Sequence, residues 1–101
     1  MEIAVNVSTD SAHIVVSGEI DEQGAEDLKR RFGEIDLSKA KTVTFDFAGV
    51  TQIGSAGLGK LLLFYKAAAS KGGNIRVERV SQNLSELFQQ LKLDTIFSIT
   101  R

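Results

Sequence analysis

Thr42-Val43-Thr44-Phe45-Asp46-Phe47 and, after Ala48-Gly49-Val50, the run Thr51-Gln52-Ile53-Gly54-Ser55-Ala56-Gly57-Leu58-Gly59-Lys60 decide the fold. In the first run Val43, Phe45 and Phe47 alternate with Thr42, Thr44 and Asp46, the period-two pattern of a strand with one buried face. From Ser55 to Ser70 the spacing becomes helical, with Leu58, Leu61, Leu62, Tyr65 and Ala69 forming the expected apolar stripe. A strand therefore feeds a helix whose start carries a hydroxyl and several small residues. A helix N-terminus gathers unpaired backbone N–H groups and a partial positive charge, so it suits a phosphate.

Outward from this junction the remaining elements follow. Ile3, Val5 and Val7 alternate with polar or small neighbours, and Ser8-Thr9-Asp10-Ser11 supplies turn chemistry. His13 to Ser17 reads as the hairpin partner of that first strand. Gly18-Glu19-Ile20-Asp21 is read as leaving the strand, with Asp21 placed to cap a helix carrying Ala25, Leu28 and Phe32. Lys71-Gly72-Gly73 ends the central helix. Asn74 to Glu78 is a further strand with Ile75 and Val77 inward. Ser81 caps a last helix with Leu84, Leu87, Phe88 and Leu91 on one face. Ile96 to Ile99 is a short final strand or a docked tail.

The order β-β-α-β-α-β-α implies parallel crossovers plus one antiparallel hairpin. Strands covered on both faces would be continuously apolar, and these alternate instead. The expected fold is α/β, one domain over residues 1–101, with a mixed four- to five-stranded sheet and helices packed mainly on one face.

Composition narrows the function. The 101 residues hold no Cys, one His and a formal net charge of −1. Disulfides and thiolate metal sites are excluded, and His13 alone builds no metal cluster. No metal or cofactor is expected. No basic run marks a nucleic-acid footprint, and no apolar stretch reaches the ~18 residues of a membrane span. Met1 to Val5 lacks the regions of a signal peptide, so a cytoplasmic location is expected. An enzyme is not expected: no Ser-His-Asp set or paired carboxylates can be assembled, and no residue stands out as catalytic.

Three readings of the junction remain. Gly54, four residues, Gly59 and Lys60 match the spacing of a phosphate-binding loop, but Leu61 stands where a Ser or Thr should hold Mg²⁺. Ser55 alternatively serves as a helix N-cap, worth about 1 kcal/mol over Ala. Against a purely structural role, Gly57 and Gly59 each cost about 1 kcal/mol in a helix, which suggests that something approaches the backbone there. The third reading is a switch: a phosphate on Ser55 adds about −1.5 to −2 charges and changes a partner's affinity by about 1–3 kcal/mol.

With these residues in view, the chain resembles the STAS domain, and specifically the single-domain bacterial anti-sigma factor antagonists. The likeness runs over nearly the whole chain. It rests on Gly18-Glu19-Ile20-Asp21, on Val43 to Val50, on Ile53-Gly54-Ser55-Ala56-Gly57-Leu58, on Gly72-Gly73-Asn74-Ile75 and on the Leu87-Phe88 helix. The resemblance implies partner switching. An unmodified antagonist binds an anti-sigma factor that is also a serine kinase. That kinase uses its own ATP to phosphorylate the antagonist and releases it, and a phosphatase resets the switch. Ser55 matches the phosphoacceptor. Asp21, Gly54, Ala56, Gly57 and Leu58 match the surrounding partner-binding positions, with a helix cap as the competing role for Asp21. The family usually has Asp where this chain has Gly54, which removes a carboxylate from the acceptor site and also a negative charge beside any phosphate. The alternative implied by the same resemblance is a constitutive adaptor of a lipid-trafficking ABC transporter or a signalling complex, indifferent to phosphorylation. A small-molecule-binding module of the family is a third class, for which the sequence offers no convergent polar pocket.

Overall fold

The longest strand is built from a broken alternation. In the computed structural model, which describes residues 1–101, β3 (Thr42–Ile53) buries Val43, Phe45, Phe47, Val50 and Ile53. The spacing is two residues, then three. Each three-residue step is a bulge against β2 (Ser11–Ile20): Val15 pairs with Asp46 but Ser17 with Gly49, and Gly18 pairs with Val50 but Glu19 with Gln52. A bulge leaves one backbone group unpaired. At the first, the Ala48 N–H donates to Asp46 Oδ1 at 3.0 Å. A side chain at Gly49 would meet Ser17 Cβ at 2.7 Å, so the bulged strand can lie this close to β2 only with glycine there.

Both strands therefore run further than the alternation suggests. β3 continues six residues beyond Phe47, and β2 continues through Gly18, Glu19 and Ile20, with Gly18 at φ +94°. That left-handed conformation is one few residues but glycine accept. The segment Gly18 to Ile20 thus belongs to the strand and does not leave it; Asp21 is where the chain departs.

β1 (Glu2–Val7) pairs antiparallel with β2, while β3, β4 (Asn74–Glu78) and β5 (Ser98–Ile99) add in parallel, giving a five-stranded sheet in sequential order. The crossovers hold α1 (Glu22–Phe32), α2 (Ser55–Ser70) and α3 (Gln82–Gln90), followed by a 3₁₀ turn at Leu93–Thr95. Sequential parallel order with right-handed crossovers puts the helices on one face. Ala12, Ile14 and Val16 of β2, Val43, Phe45 and Phe47 of β3, and Ile75 and Val77 of β4 are buried beneath them. On the other face His13, Val15 and Arg76 are exposed. The expected mixed α/β sheet is the fold observed, with Ser98-Ile99 as its fifth strand. Thr44, expected on the polar face, is only 5% exposed, flanked in register by His13 and Arg76.

Two helical stripes differ from expectation. α2 buries Gly57, Leu61, Phe64 and Ala68, while Leu58, Leu62 and Tyr65 are half-buried and Ala69 is exposed. Apolar residues run almost all the way round this helix, so hydrophobicity alone does not pick the inward face. Phe64 does: its ring stacks on Phe32 at 4.3 Å and on Phe45 at 5.7 Å, tying α1, α2 and β3 together. In α3, Leu84, Ser85 and Phe88 are buried, but Leu91 is 49% exposed, because the helix stops at Gln90 and Lys92 turns the chain at φ +59°.

Asp46 links the bulge to the end of β4. Its carboxylate also accepts from the Arg79 guanidinium, and this ion pair with the Ala48 bond holds its pKa below the ordinary carboxylate value. A depressed native pKa contributes stability above the unfolded pKa, and that contribution is lost as pH falls through the native value. Asp46→Asn keeps an acceptor for Ala48 but loses the ion pair. Since Arg79 is largely exposed, a cost of about 0.5–1 kcal/mol is expected at neutral pH. Asp46→Ala loses both bonds, for about 1–2 kcal/mol. Urea melts should show the gap between wild type and Asp46→Asn closing as pH drops below the carboxylate range.

Candidate functional site

The C-terminal ends of β2 and β3 lie side by side, paired through Ile20 and Ile53. Each strand feeds a helix at once, so the N-termini of α1 and α2 open on the same end of the sheet. Asp21 is the N-cap of α1, its Oδ1 accepting from the Gly24 N–H at 2.8 Å. One residue past Ile53, the Gly54 N–H donates to Ile20 O at 3.0 Å. That bond fastens the end of β3 to β2.

The cap of α2 is Gly54, not Ser55. Gly54 lies at φ −90°, ψ 177°, and its carbonyl already accepts from the Leu58 N–H at 3.1 Å. Ser55 is consequently the first helical residue, one position too late for its hydroxyl to cap the helix. The start of α2 carries no side-chain cap, whereas α1 uses Asp21 and α3 uses Ser81. The Ser55 side chain is exposed. The capping account of Ser55 is thereby replaced: this hydroxyl is spared from the structural task the sequence offered it.

The phosphate-loop reading fails on the same geometry. Ser55 to Lys60, the middle and end of the motif, are already helix. Lys60 lies against α1, its Nζ 3.3 Å from Glu26 Oε1, with its side chain only 18% exposed. Leu61 is fully buried. No loop remains to wrap phosphates.

The two glycines separate. A side chain at Gly57 would meet Ile20 Cγ2 at 2.7 Å and Ile53 Cγ1 at 2.8 Å, so Gly57 lets the helix start settle onto the β2–β3 ends. Nothing lies within 4 Å of the same point at Gly59. The close approach inferred from two glycines is thus internal at Gly57 and is not made by this chain at Gly59. Gly54 and Ser55 are exposed and Ala56 half-buried, while Gly57 is buried and Leu58 half-buried against the core. The last two shape the site from behind.

Between the helix starts runs a shallow groove with Glu22 and Glu26 of α1 on one side and Ser55, Ala56, Gly59, Lys60 and Leu63 of α2 on the other. Leu63 is 52% exposed. Glu22, Glu26 and Leu63 did not stand out in the sequence. The i, i+4 spacing of Glu22 and Glu26 is visible in the sequence, but the groove exists only because β2 and β3 are parallel neighbours. His13 lies on the opposite face of the sheet, and no three His, Asp or Glu side chains gather into a metal-binding group. No helix is long and apolar enough to cross a membrane.

The family model described as "Mlab, STAS domain" matches residues 3–100. Among solved structures, the chain is similar to an anti-sigma factor antagonist from Mycobacterium paratuberculosis, with a TM-score of 0.84 and 23% identity over 98% of this chain and 84% of that one. It is similar to the phosphorylated form of the Bacillus cell fate determinant SpoIIAA, with a TM-score of 0.77 and 18% identity over 99% and 92%. It is also similar to a sulfate transporter family protein from Wolinella succinogenes, with a TM-score of 0.76 and 16% identity over 87% and 74%. At these identities the structural likeness is one of fold.

The glycine geometry makes a signed forecast. Gly57→Ala gains about 1 kcal/mol of helix propensity but forces two buried isoleucines apart, for a net loss of about 1 kcal/mol. Gly59→Ala meets open space and should stabilise by about 0.5–1 kcal/mol. Denaturant melts of the two variants should move in opposite directions.

Proposed function

The chain belongs to the STAS domain family, and from that premise we propose that residues 1–101 act as one regulatory binding unit of the anti-sigma factor antagonist type, switched at Ser55. Its partner is an anti-sigma factor with serine kinase activity, which supplies the ATP. Binding uses the end of the domain where α1 and α2 begin, around Asp21, Gly54, Ser55 and Ala56. The observation that carries this reading is the free hydroxyl of Ser55: exposed, on the first residue of α2, and relieved of capping by Gly54.

The position favours a switch that leaves the domain folded. A phosphate at the first helical residue sits where the helix start offers unpaired N–H groups and partial positive charge. The folded domain tolerates it, while the partner face gains a doubly charged group that a fitted interface must desolvate or repel. The same position explains the departure at Gly54. Its backbone is extended and the nearest atom to an added side chain is Ile20 O at 3.7 Å, so an Asp fits there and would cap the helix. With Gly54 the carboxylate is absent, and a phosphate on Ser55 meets no negative neighbour at the cap.

A second reading is favoured by the description of the matched family model, which names Mlab. In it the same face docks constitutively, as an adaptor of a lipid-trafficking ABC transporter, and Ser55 is a bystander.

Capture from source lysate with wild-type, Ser55→Ala and Ser55→Asp baits separates the two. For the switch, wild type and Ser55→Ala retain a kinase-like anti-sigma factor, Ser55→Asp loses it at least about tenfold, and recovered wild type gains ~80 Da at Ser55. Retention of an ABC ATPase equally by all three baits contradicts the switch and supports the adaptor.

A further inference from the structure

The sheet has two edges, and they are built differently. β5 is only two residues long, and a short edge strand offers little to pair with. β1 is six residues long, pairs with β2 without a bulge, and carries no Pro or Lys. At its end the Ser8 N–H donates to Ser11 O at 2.9 Å, so Ser8 and Ser11 are a bonded pair of the hairpin. Bonded and non-bonded pairs alternate along an antiparallel ladder. Asn6, Ala4 and Glu2 therefore bond to His13, Val15 and Ser17, while Ile3, Val5 and Val7 turn their N–H and C=O groups away from β2. One bond reaches these outward groups: Arg31 Nη1 donates to Ile3 O at 3.3 Å. The same three residues carry the large apolar side chains of the strand. Ile3 and Val5 pack against the core, but Val7 is 65% exposed.

We propose that β1 pairs antiparallel with β1 of a second copy of this chain, about a two-fold axis at Val5, joining two five-stranded sheets into one. The strand is self-complementary in that register. Val5 faces Val5, and Ile3 faces Val7 of the second copy. The outward groups then meet in about six backbone bonds, against about four with the axis at Ala4 or Asn6. Ile3 O has a second lone pair and accepts from Val7 of the second copy beside Arg31. The exposed Val7 side chain is laid against Ile3. Glu2, the one charged residue of β1, stands opposite Ser8 of the second copy. The two Glu2 carboxylates are set about 20 Å apart, where salt screens their repulsion. The two-fold axis consumes both β1 edges, so assembly closes at two copies. Strand pairing buries less area than a permanent interface needs, so the dimer is weak. The axis crosses the strands, which sends the two helix-start ends to opposite ends of the joined sheet and leaves Ser55 free on each copy.

Sedimentation equilibrium from about 5 to 500 µM tests this, with wild type expected to pass from monomer to dimer with a Kd of about 10–100 µM. Val5→Pro removes an N–H that faces away from β2, so the hairpin ladder keeps its bonds while the edge loses its central pair. Val7→Lys charges an exposed position outside the core. Each variant should weaken dimerisation at least about tenfold. Val7→Lys should also melt within about 2 °C of wild type when both are monomeric, which separates a blocked edge from a damaged fold. Ser8→Lys sets a cation opposite Glu2 of the second copy at both ends of the pairing, and should tighten the dimer about threefold. A monomer at every concentration, a dimer that neither Val5→Pro nor Val7→Lys weakens, or a dimer weakened by Ser8→Lys would overturn the proposal. Ser55→Asp lies away from this edge and should dimerise as wild type does, so the result stands or falls apart from the switch.

Discussion

The backbone bond from the Gly54 N–H to Ile20 O, at 3.0 Å, is the constraint on which the site depends. It extends the parallel pairing of β2 and β3, which ends at Ile20 and Ile53, to the N-cap of α2. The paired strand ends set the two helix starts on one edge, and this bond fastens the cap of α2 beside Ile20. The bond has consequences in both directions along the chain. Upstream, the two bulges in β3 turn Val50 as well as Ile53 inward, and Asp46 satisfies the backbone group that the first bulge frees. Downstream, Gly57 must lack a side chain for α2 to rest on Ile20 and Ile53. The Phe32, Phe45 and Phe64 stack then holds the far end of α1 and the middle of α2 to the sheet.

Much of this was legible in the residues. Period-two and helical spacing placed the elements, and the caps at Asp21 and Ser81 hold as the sequence implied, each accepting a bond from a backbone N–H in the first turn. What the alternation could not convey was the length of β2 and β3. A bulge replaces a two-residue step by a three-residue step, and Val50 then looks out of phase although it is buried, while the second bulge brings Ile53 back into phase. Hydrophobicity also failed to orient α2, because Leu58, Leu62, Leu63 and Tyr65 surround a face set by Gly57 and Phe64. The sequence singled out Ser55 but misassigned its structural option, since a one-residue difference in helix start moves the cap to Gly54. Glu22, Glu26 and Leu63 were invisible as a group because they meet only through the pairing of two strands distant in sequence.

The two faces of the sheet divide the work. The helix-covered face carries the aromatic core, and the open face is held by paired charges such as Asp46 with Arg79 and Arg76 with Glu78. The end where α1 and α2 begin is different: its hydroxyl is spare, Glu22 is unpaired, and Gly59 is unexplained by internal packing. Natural sequences depart from local consistency mainly at functional sites. Three such departures cluster around one pair of helix starts, which supports the proposal made for that end of the domain. It also suits a regulator. A covalent charge there alters a surface already acidic on one wall while leaving the β2–β3 anchor and the core untouched.

The most direct measurement is the affinity of the proposed partner, a purified anti-sigma factor with serine kinase activity, for this chain carrying phosphoserine at position 55, against the unmodified chain, with far-ultraviolet circular dichroism on both. The account predicts superimposable spectra and an affinity at least about tenfold weaker for the phosphorylated chain. Equal affinities from two equally folded proteins would contradict it and leave Ser55 without a regulatory role.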